Sequence, residues 1–352
     1  MRGRFLLASA AAAVVVMASP FVGRINTAVS QALPDQYVGI LLASVILPGI
    51  AAIGLALLRI RERRLLRYSL LAVAVAIAGL YATVMETTRT EQFHFTEYGI
   101  VTFLFSAAWR SRNDAGAIVL PVCAALVAGF ADEWFQWFVP SRVGEARDVV
   151  LNGVGIACGL LIAFALNPLP RVAAPAGPGA RRVLAIGLTA VIVVAALFLQ
   201  TVHLGYDVHD SPTGTFRSRF TPSGLREAAE ARAARWRLAP PAEMPLVSRE
   251  DHYLSEARFH VEFRNRAVSA GDSWSAWREN LILERLYAPV LESGLPGSRW
   301  PAGQRTAIAA VSAADARPYV SAAYPFPLYA WNRWLFWSGA AALVAIVWLL
   351  CR

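Results

Sequence analysis

The chemistry in this chain concentrates in one stretch, 129–159, which carries Asp132, Glu133, Gln136, Arg142, Asp148 and Asn152 between apolar and aromatic neighbours. Adjacent carboxylates such as Asp132 and Glu133 suit general acid/base work. An arginine set among carboxylates and amides suits holding a polar head group through charge-assisted hydrogen bonds. An ionisable side chain inside an apolar span is costly, so by default it marks a site and needs a partner. On a helix, Asp132 and Gln136 are four apart and share a face, with Glu133 beside them. Asp148 opens the next apolar run, where a carboxylate suits the positive end of a helix. Asn152, Gly155 and Gly159 continue that run at steps of three and four, and small residues at this spacing admit a neighbouring helix. A third helix offers His94 and Glu97, three apart on one face. These spacings predict that Glu97, Asp132, Glu133, Asp148 and Arg142 meet in one pocket. His94, Gln136 and Asn152 join them as ligand-binding candidates.

Each residue also has a plainer reading. Arg142 and Arg147 can simply neutralise nearby carboxylates at a membrane surface. Asn152 can serve as glue between helices. Asp132 and Glu133 are the catalytic candidates if the site is an enzyme. A metal on His94, Glu97, Asp132 and Glu133 would have a single nitrogen ligand, a poor set for zinc. No metal and no cofactor are therefore assigned.

The elements that must position these residues are membrane helices. The chain is 57% apolar and 16% charged, with a mean hydropathy of +0.46, whereas soluble domains run at about 25% charged. Net charge is +9, and all 33 basic residues are arginine. This is not a nucleic-acid signal. The polar segment 204–330 nearly balances fifteen arginines against fourteen acids, and the excess lies in short collars beside apolar runs. Cys123, Cys158 and Cys351 lie in or at the end of apolar spans, so the polar segment has no disulfide framework.

A spanning helix needs about 20 mostly apolar residues. Eight candidates follow, at about 5–23, 37–60, 68–85, 94–109, 115–138, 149–166, 183–203 and 331–350. No small-x-small cleavage signal follows the first, which reads as a retained helix. Pro48-Gly49 predicts a kink in the second, and Pro140 and Gly144 break the chain after the fifth. Thirteen arginines then fall in the segments on the side of the N-terminus and four in the short loops opposite. By the positive-inside rule both termini are cytoplasmic, and the 132–148 region and residues 204–330 face outward. The fold class is an all-α polytopic membrane bundle of about eight spanning helices with a small mixed α/β extracytoplasmic domain. Its parts are 1–67 (two helices and an arginine collar), 68–166 (a four-helix core), 167–203 (linker and seventh helix), 204–330 (the outer domain) and 331–352 (the last helix). Within the outer domain, alternation over Ala257, Val261 and Phe263 predicts a strand. Helices are expected after Ser223 and after Asp272, the latter ending at Pro289. Aromatic residues from Tyr319 to Trp337 suit an interfacial belt or a sugar-like ligand.

The residues 94–98 (His-Phe-Thr-Glu-Tyr), 132–136 (Asp-Glu-Trp-Phe-Gln), Pro140-Ser141-Arg142 and 148–155 (Asp-Val-Val-Leu-Asn-Gly-Val-Gly) resemble the motifs of the VanZ-like family of membrane proteins. The resemblance covers roughly 68–166 and implies a membrane core with a site at these residues. The family is named for a protein linked to resistance to teicoplanin, a glycopeptide acting on cell-wall precursors. The resemblance implies a site without a reaction. The leading expectation is a bacterial plasma-membrane protein whose outward pocket binds an amphipathic envelope molecule, either a lipid-linked precursor or a glycopeptide-like compound. The alternatives are a membrane enzyme using Asp132 or Glu133, and a scaffold docking an envelope protein through its outer domain. The lipid bilayer is the expected surrounding partner, and no nucleic acid is expected.

Overall fold

Long runs of Leu, Ile, Val and Ala leave a backbone no solvent partner in an apolar setting, so the chain must bond to itself, and helices satisfy this within one segment. The computed structural model describes residues 2–84, 92–139, 142, 144–167, 176–211, 213–239, 241, 251–315 and 317–352, with the backbone alone at Val45, Ala82, Val84, Gln92, Phe93, His94 and Arg237. The chain divides into two units, residues 1–201 with 334–352, and residues 202–333.

The first unit is all helical: α1 (Arg2–Ala32), α2 (Pro34–Arg59), α3 (Arg64–Val84), α4 (Gln92–Trp109), α5 (Gly116–Trp137), α6 (Ala146–Leu166), α7 (Pro178–Val202) and the last long helix of the chain, Arg333–Leu350. Among the described residues, seven of these are long and apolar enough to cross a membrane. The remaining one, α4, has 18 residues but carries Gln92, His94 and Glu97 in its first turns. It is nonetheless central to the unit, packed on α1, α5 and α6, while α3 and α2 lie against α6. Ala8 and Ala12 of α1 are buried with Tyr98, Val101 and Phe105 of α4, so the first helix is an integral wall of the bundle.

Contacts between helices fix which ends share a side. Phe5 of α1 meets Trp109 at the end of α4, with ring centroids 5.4 Å apart. Gly187 of α7 lies against Leu120 and Cys123 near the start of α5. Arg67 of α3 donates to the carbonyl of Ala165 at 2.6 Å, and Arg110 donates to Asn167 Oδ1 at 3.0 Å, both at the end of α6. The arginine collars therefore gather at one end of the bundle. There Arg67, only 9% exposed, satisfies a carbonyl that the last turn of a helix leaves without an intrahelical donor. Replacing Arg67 with Ala is expected to lower stability by about 1.5–3 kcal/mol, the usual worth of a hydrogen bond to a charged group. Thermal unfolding of the detergent-purified protein checks this, and an unchanged midpoint would remove the role assigned to Arg67.

The second unit begins with a hairpin, β1 (Tyr206–Asp210) and β2 (Gly214–Ser218), antiparallel with Val208 opposite Phe216. Gly214 turns the chain at φ +123°, a conformation that disfavours side-chain-bearing residues. Five helices follow: α8 (Pro222–Leu238), α9 (His252–Ser269), α10 (Ser273–Leu286), α11 (Ala288–Glu292) and α12 (Ala302–Ser312), which makes the long C-terminal helix α13. The strand expected over 257–263 is instead the middle of α9. Leu254, Ala257, Val261, Arg264 and Ala267 are buried at steps of three and four, a helical stripe that a short window over 257–263 reads as alternation. Thr221 caps α8, accepting from Gly224 N at 3.0 Å, two residues before the expected Ser223. Asp272 caps α10 as expected, accepting from Ser275 N at 3.0 Å. Asp272 N reaches Ala267 O at 2.9 Å and Gly271 N reaches Val268 O at 3.0 Å, so Gly271 in the left-handed region closes α9.

Three fully buried charged side chains of this unit, Glu279, Glu256 and Arg264, each have several partners. Glu279 accepts from Tyr319 and Ser321 hydroxyls, each at 2.5 Å, and bonds His260 Nδ1 at 2.5 Å. Glu256 accepts from Ser218, Arg219 N and Tyr287 at 2.6, 2.8 and 2.9 Å; burial nevertheless pushes its carboxyl above the usual range. Arg264 donates to Asn280 Oδ1 at 3.0 Å and to the carbonyl of Ser298 at 2.9 Å, and lies 4.7 Å from the Trp300 ring centre. Burial brings its guanidinium down to about 10. Where the chain enters and leaves the unit it bonds to itself: Tyr329 N donates to His203 O at 2.7 Å and Gly205 N to Tyr329 O at 2.9 Å.

Candidate functional site

At the end of the bundle opposite the arginine collars, α4, α5, α6 and the α5–α6 connection bring polar side chains together. Asp132, Glu133, Gln136 and Asn152 are each no more than 1% exposed. Residues of these types at such depth need hydrogen bonds or a ligand to offset their lost hydration.

The hydrogen bonds form a chain. Gln136, one turn after Glu133 on α5, donates its Nε2 to Glu133 Oε1 at 3.1 Å and accepts from Arg142 Nε at 3.0 Å. The amide thus relays between a carboxylate and a guanidinium, and its orientation is fixed from both sides. The other Glu133 oxygen accepts from the backbone N–H of Glu145 at 3.2 Å, which ties the connection back to α5. Gly144 sits there because a Cβ would strike the carbonyl of Glu133. From α4, the Tyr98 hydroxyl donates to Asp132 Oδ2 at 3.0 Å. Tyr98 is itself buried, and its own carbonyl accepts from Thr102 at 2.7 Å.

The remaining expected residues join through charge. Glu97 of α4 lies within the field of Asp132 and Arg142. Glu133 lies within that of Asp148, Asp132 and Arg142. Asp148 occupies the first turn of α6. Three carboxyl groups, Glu97, Asp132 and Glu133, thus share the field of Arg142, with Asp148 near Glu133, while Arg147, just before Asp148, is exposed. Asn152 packs against Gly129 and close to Tyr98, 3.5 Å from the position a Gly129 side chain would take. Both of its amide atoms are buried with no hydrogen-bond partner among the described residues. The side chain of His94, and Pro140 and Ser141, lie outside the described residues. Among those described, no three His, Cys, Asp or Glu side chains are arranged to hold a metal ion.

The glycines set how closely the helices approach. A Cβ at Gly155 would lie 2.6 Å from the carbonyl oxygen of Phe95, and one at Gly159 would strike Gly99. Helices α4 and α6 therefore cross backbone to backbone, and this crossing holds Glu97 and Tyr98 over Asn152 and the α5 acids. Two participants were not singled out from sequence. Tyr98 stands in sequence only as part of the 94–98 motif, and its place directly after Glu97 at a helix start is the signal it offers. Ser19 of α1 lies buried beside Asp132 without reaching hydrogen-bond geometry. Nothing in the spacing of an alanine-rich helix marks it.

The VanZ/LLP1 family model matches residues 46–167, beginning in α2, earlier than the 68–166 of the motif-based resemblance. No curated protein and no solved structure matches the chain.

Proposed function

We propose that this chain, a membrane protein whose residues 46–167 form a VanZ/LLP1 region, binds the polar head of an amphipathic envelope molecule at the Asp132–Glu133–Arg142 cluster. The ligand is a lipid-linked precursor or a glycopeptide-like compound. Its apolar part lies along the helices. The observation that carries this reading is Asn152, whose buried amide has neither its donor nor its acceptor used among the described residues; it packs near Tyr98, whose hydroxyl bonds Asp132 of the acidic cluster. A buried amide left in that state costs about 1–3 kcal/mol, which a ligand recovers by bonding to it.

In the arrangement proposed here, eight helices cross the plasma membrane, and both termini lie with the arginine collars in the cytoplasm. The cluster and residues 202–333 then face outward, as the positive-inside rule favours. A reporter fused after His203 that is active only outside the membrane is the expected result, and activity in the cytosol would reverse the orientation.

Asp132→Ala, Glu133→Ala and Asp148→Ala proteins that insert normally are expected to bind a lipid-linked cell-wall precursor or a glycopeptide antibiotic at least ten-fold more weakly than the parent, a loss of about 1.4 kcal/mol or more. Equilibrium binding to the purified proteins measures this. Full parental affinity in all three would end the proposal. Turnover of the bound precursor that disappears in Glu133→Gln would instead mark the cluster as a general acid/base.

A further inference from the structure

A second feature lies along the helices between the arginine end and the acidic cluster. A groove of about 420 Å³ runs between α1, α4, α5 and α7, lined by Phe5, Trp109, Cys123, Val127, Ile186 and Ala190 among others, with almost no polar surface. That volume lies within the roughly 300–1,000 Å³ of ordinary ligand sites. On α5 its lining runs from Leu120 to Ala131. At 1.5 Å per residue this is about 16 Å of helix, close to the ~15 Å depth of one leaflet of a ~30 Å hydrocarbon core.

Arginines adjoin the groove's lining residues in sequence at the collar end. Arg4 precedes Phe5, and Arg181 and Arg182 precede Val183, all beside lining residues at the collar end. No acidic side chain pairs with Arg4, Arg181 or Arg182 among the described residues, and Arg181 Nε is buried without a hydrogen-bond partner. Arg110 and Arg112, at the same end, are already engaged with Asn167 and Asp114.

We infer that this groove holds one acyl chain of an anionic phospholipid from the leaflet at the arginine end, with the lipid phosphate held by Arg4, Arg181 and Arg182. Length selects a single leaflet chain, and charge selects an anionic head over a zwitterionic one. Its arginine end is opposite the acidic cluster, while its inner end at Ala131 stops one residue short of Asp132.

The full chain, purified in neutral detergent, is titrated with dipalmitoyl-phosphatidylglycerol and with dipalmitoyl-phosphatidylcholine and read by native mass spectrometry. Phosphatidylglycerol is expected to bind about ten-fold tighter, a conservative value for three arginines at a lipid surface. The combined Arg4→Gln, Arg181→Gln and Arg182→Gln variant, altered only at the arginine end, is expected to bind both lipids within about two-fold of each other. Ala124→Trp, which fills the groove, is expected to lose both. Equal binding of the two lipids by the parent protein, or an undiminished preference in the triple arginine variant, overturns the inference.

Discussion

Placing a single methyl group on Gly159 is expected to destabilise the membrane unit by about 1–3 kcal/mol, the range for overpacking a tight interior. The added Cβ would meet the backbone of Gly99 rather than a movable side chain. Two helix backbones cannot yield locally, so α4 and α6 must separate along their length, taking Glu97 and Tyr98 away from the α5 acids. Gly155→Ala is expected to act in the same direction, because its Cβ would lie 2.6 Å from Phe95 O. The two together should leave little monodisperse protein. Gly153→Ala is the control, since nothing lies within 4 Å of a Cβ there. Alanine is a better helix former than glycine by up to about 1 kcal/mol, so this variant should be neutral or more stable. Unfolding midpoints in detergent order the three. Equal midpoints for Gly153→Ala and Gly159→Ala would show that α4 and α6 do not cross so closely.

In the second unit, Glu279→Ala is expected to remove roughly 3 kcal/mol or more. Glu279 is fully buried and serves Tyr319, Ser321 and His260 at once. Truncation leaves the buried Tyr319 and His260 groups, and the half-buried Ser321 hydroxyl, to find other partners, each buried one at a cost of about 1–3 kcal/mol. The bonds to Tyr319 and Ser321 join α10 to the segment after α12, which also pairs with β2 through Thr215 N and Tyr319 O at 2.8 Å. The loss therefore loosens the hairpin as well as the helix. For a unit of this size the unfolding midpoint should fall by roughly 10 °C, while Glu279→Gln, which keeps acceptor oxygen, should fall less. Limited proteolysis within 202–333 offers a second readout. A Glu279→Ala protein as resistant as the parent would mean that the network stabilises nothing.

The membrane unit was legible because its signals are long. Twenty apolar residues between arginines leave few alternatives, and the four-residue step from Asp132 to Gln136 or the three-residue step from Asn152 to Gly155 has one meaning on a helix. The second unit was harder for the same reason reversed. Over seven residues, Ala257 to Phe263 satisfies both a period of two and a period near four, and only the burial of Leu254 and Ala267 on either side decides for a helix. The β1–β2 hairpin leaves only a faint pattern, although Asp-Ser-Pro-Thr-Gly at 210–214 is turn chemistry, because each flanking strand has five residues and contributes a single fully inward apolar side chain, Val208 or Phe216. The relay through Gln136 from Arg142 to Glu133 was beyond sequence altogether. It depends on how an eight-residue connection folds back, which no periodicity encodes.

The bonds joining His203 and Gly205 to Tyr329 carry a topological consequence. A chain that closes its own neck leaves and re-enters at nearly one point, so everything beyond that neck behaves as an insert between α7 and α13. Trp337 and Trp348 of α13 bond Gln200 and Thr189 of α7 at 3.0 and 3.2 Å, so the two stems hold each other without it. Insertions are tolerated where their two ends lie close together, because the elements on either side keep their own packing.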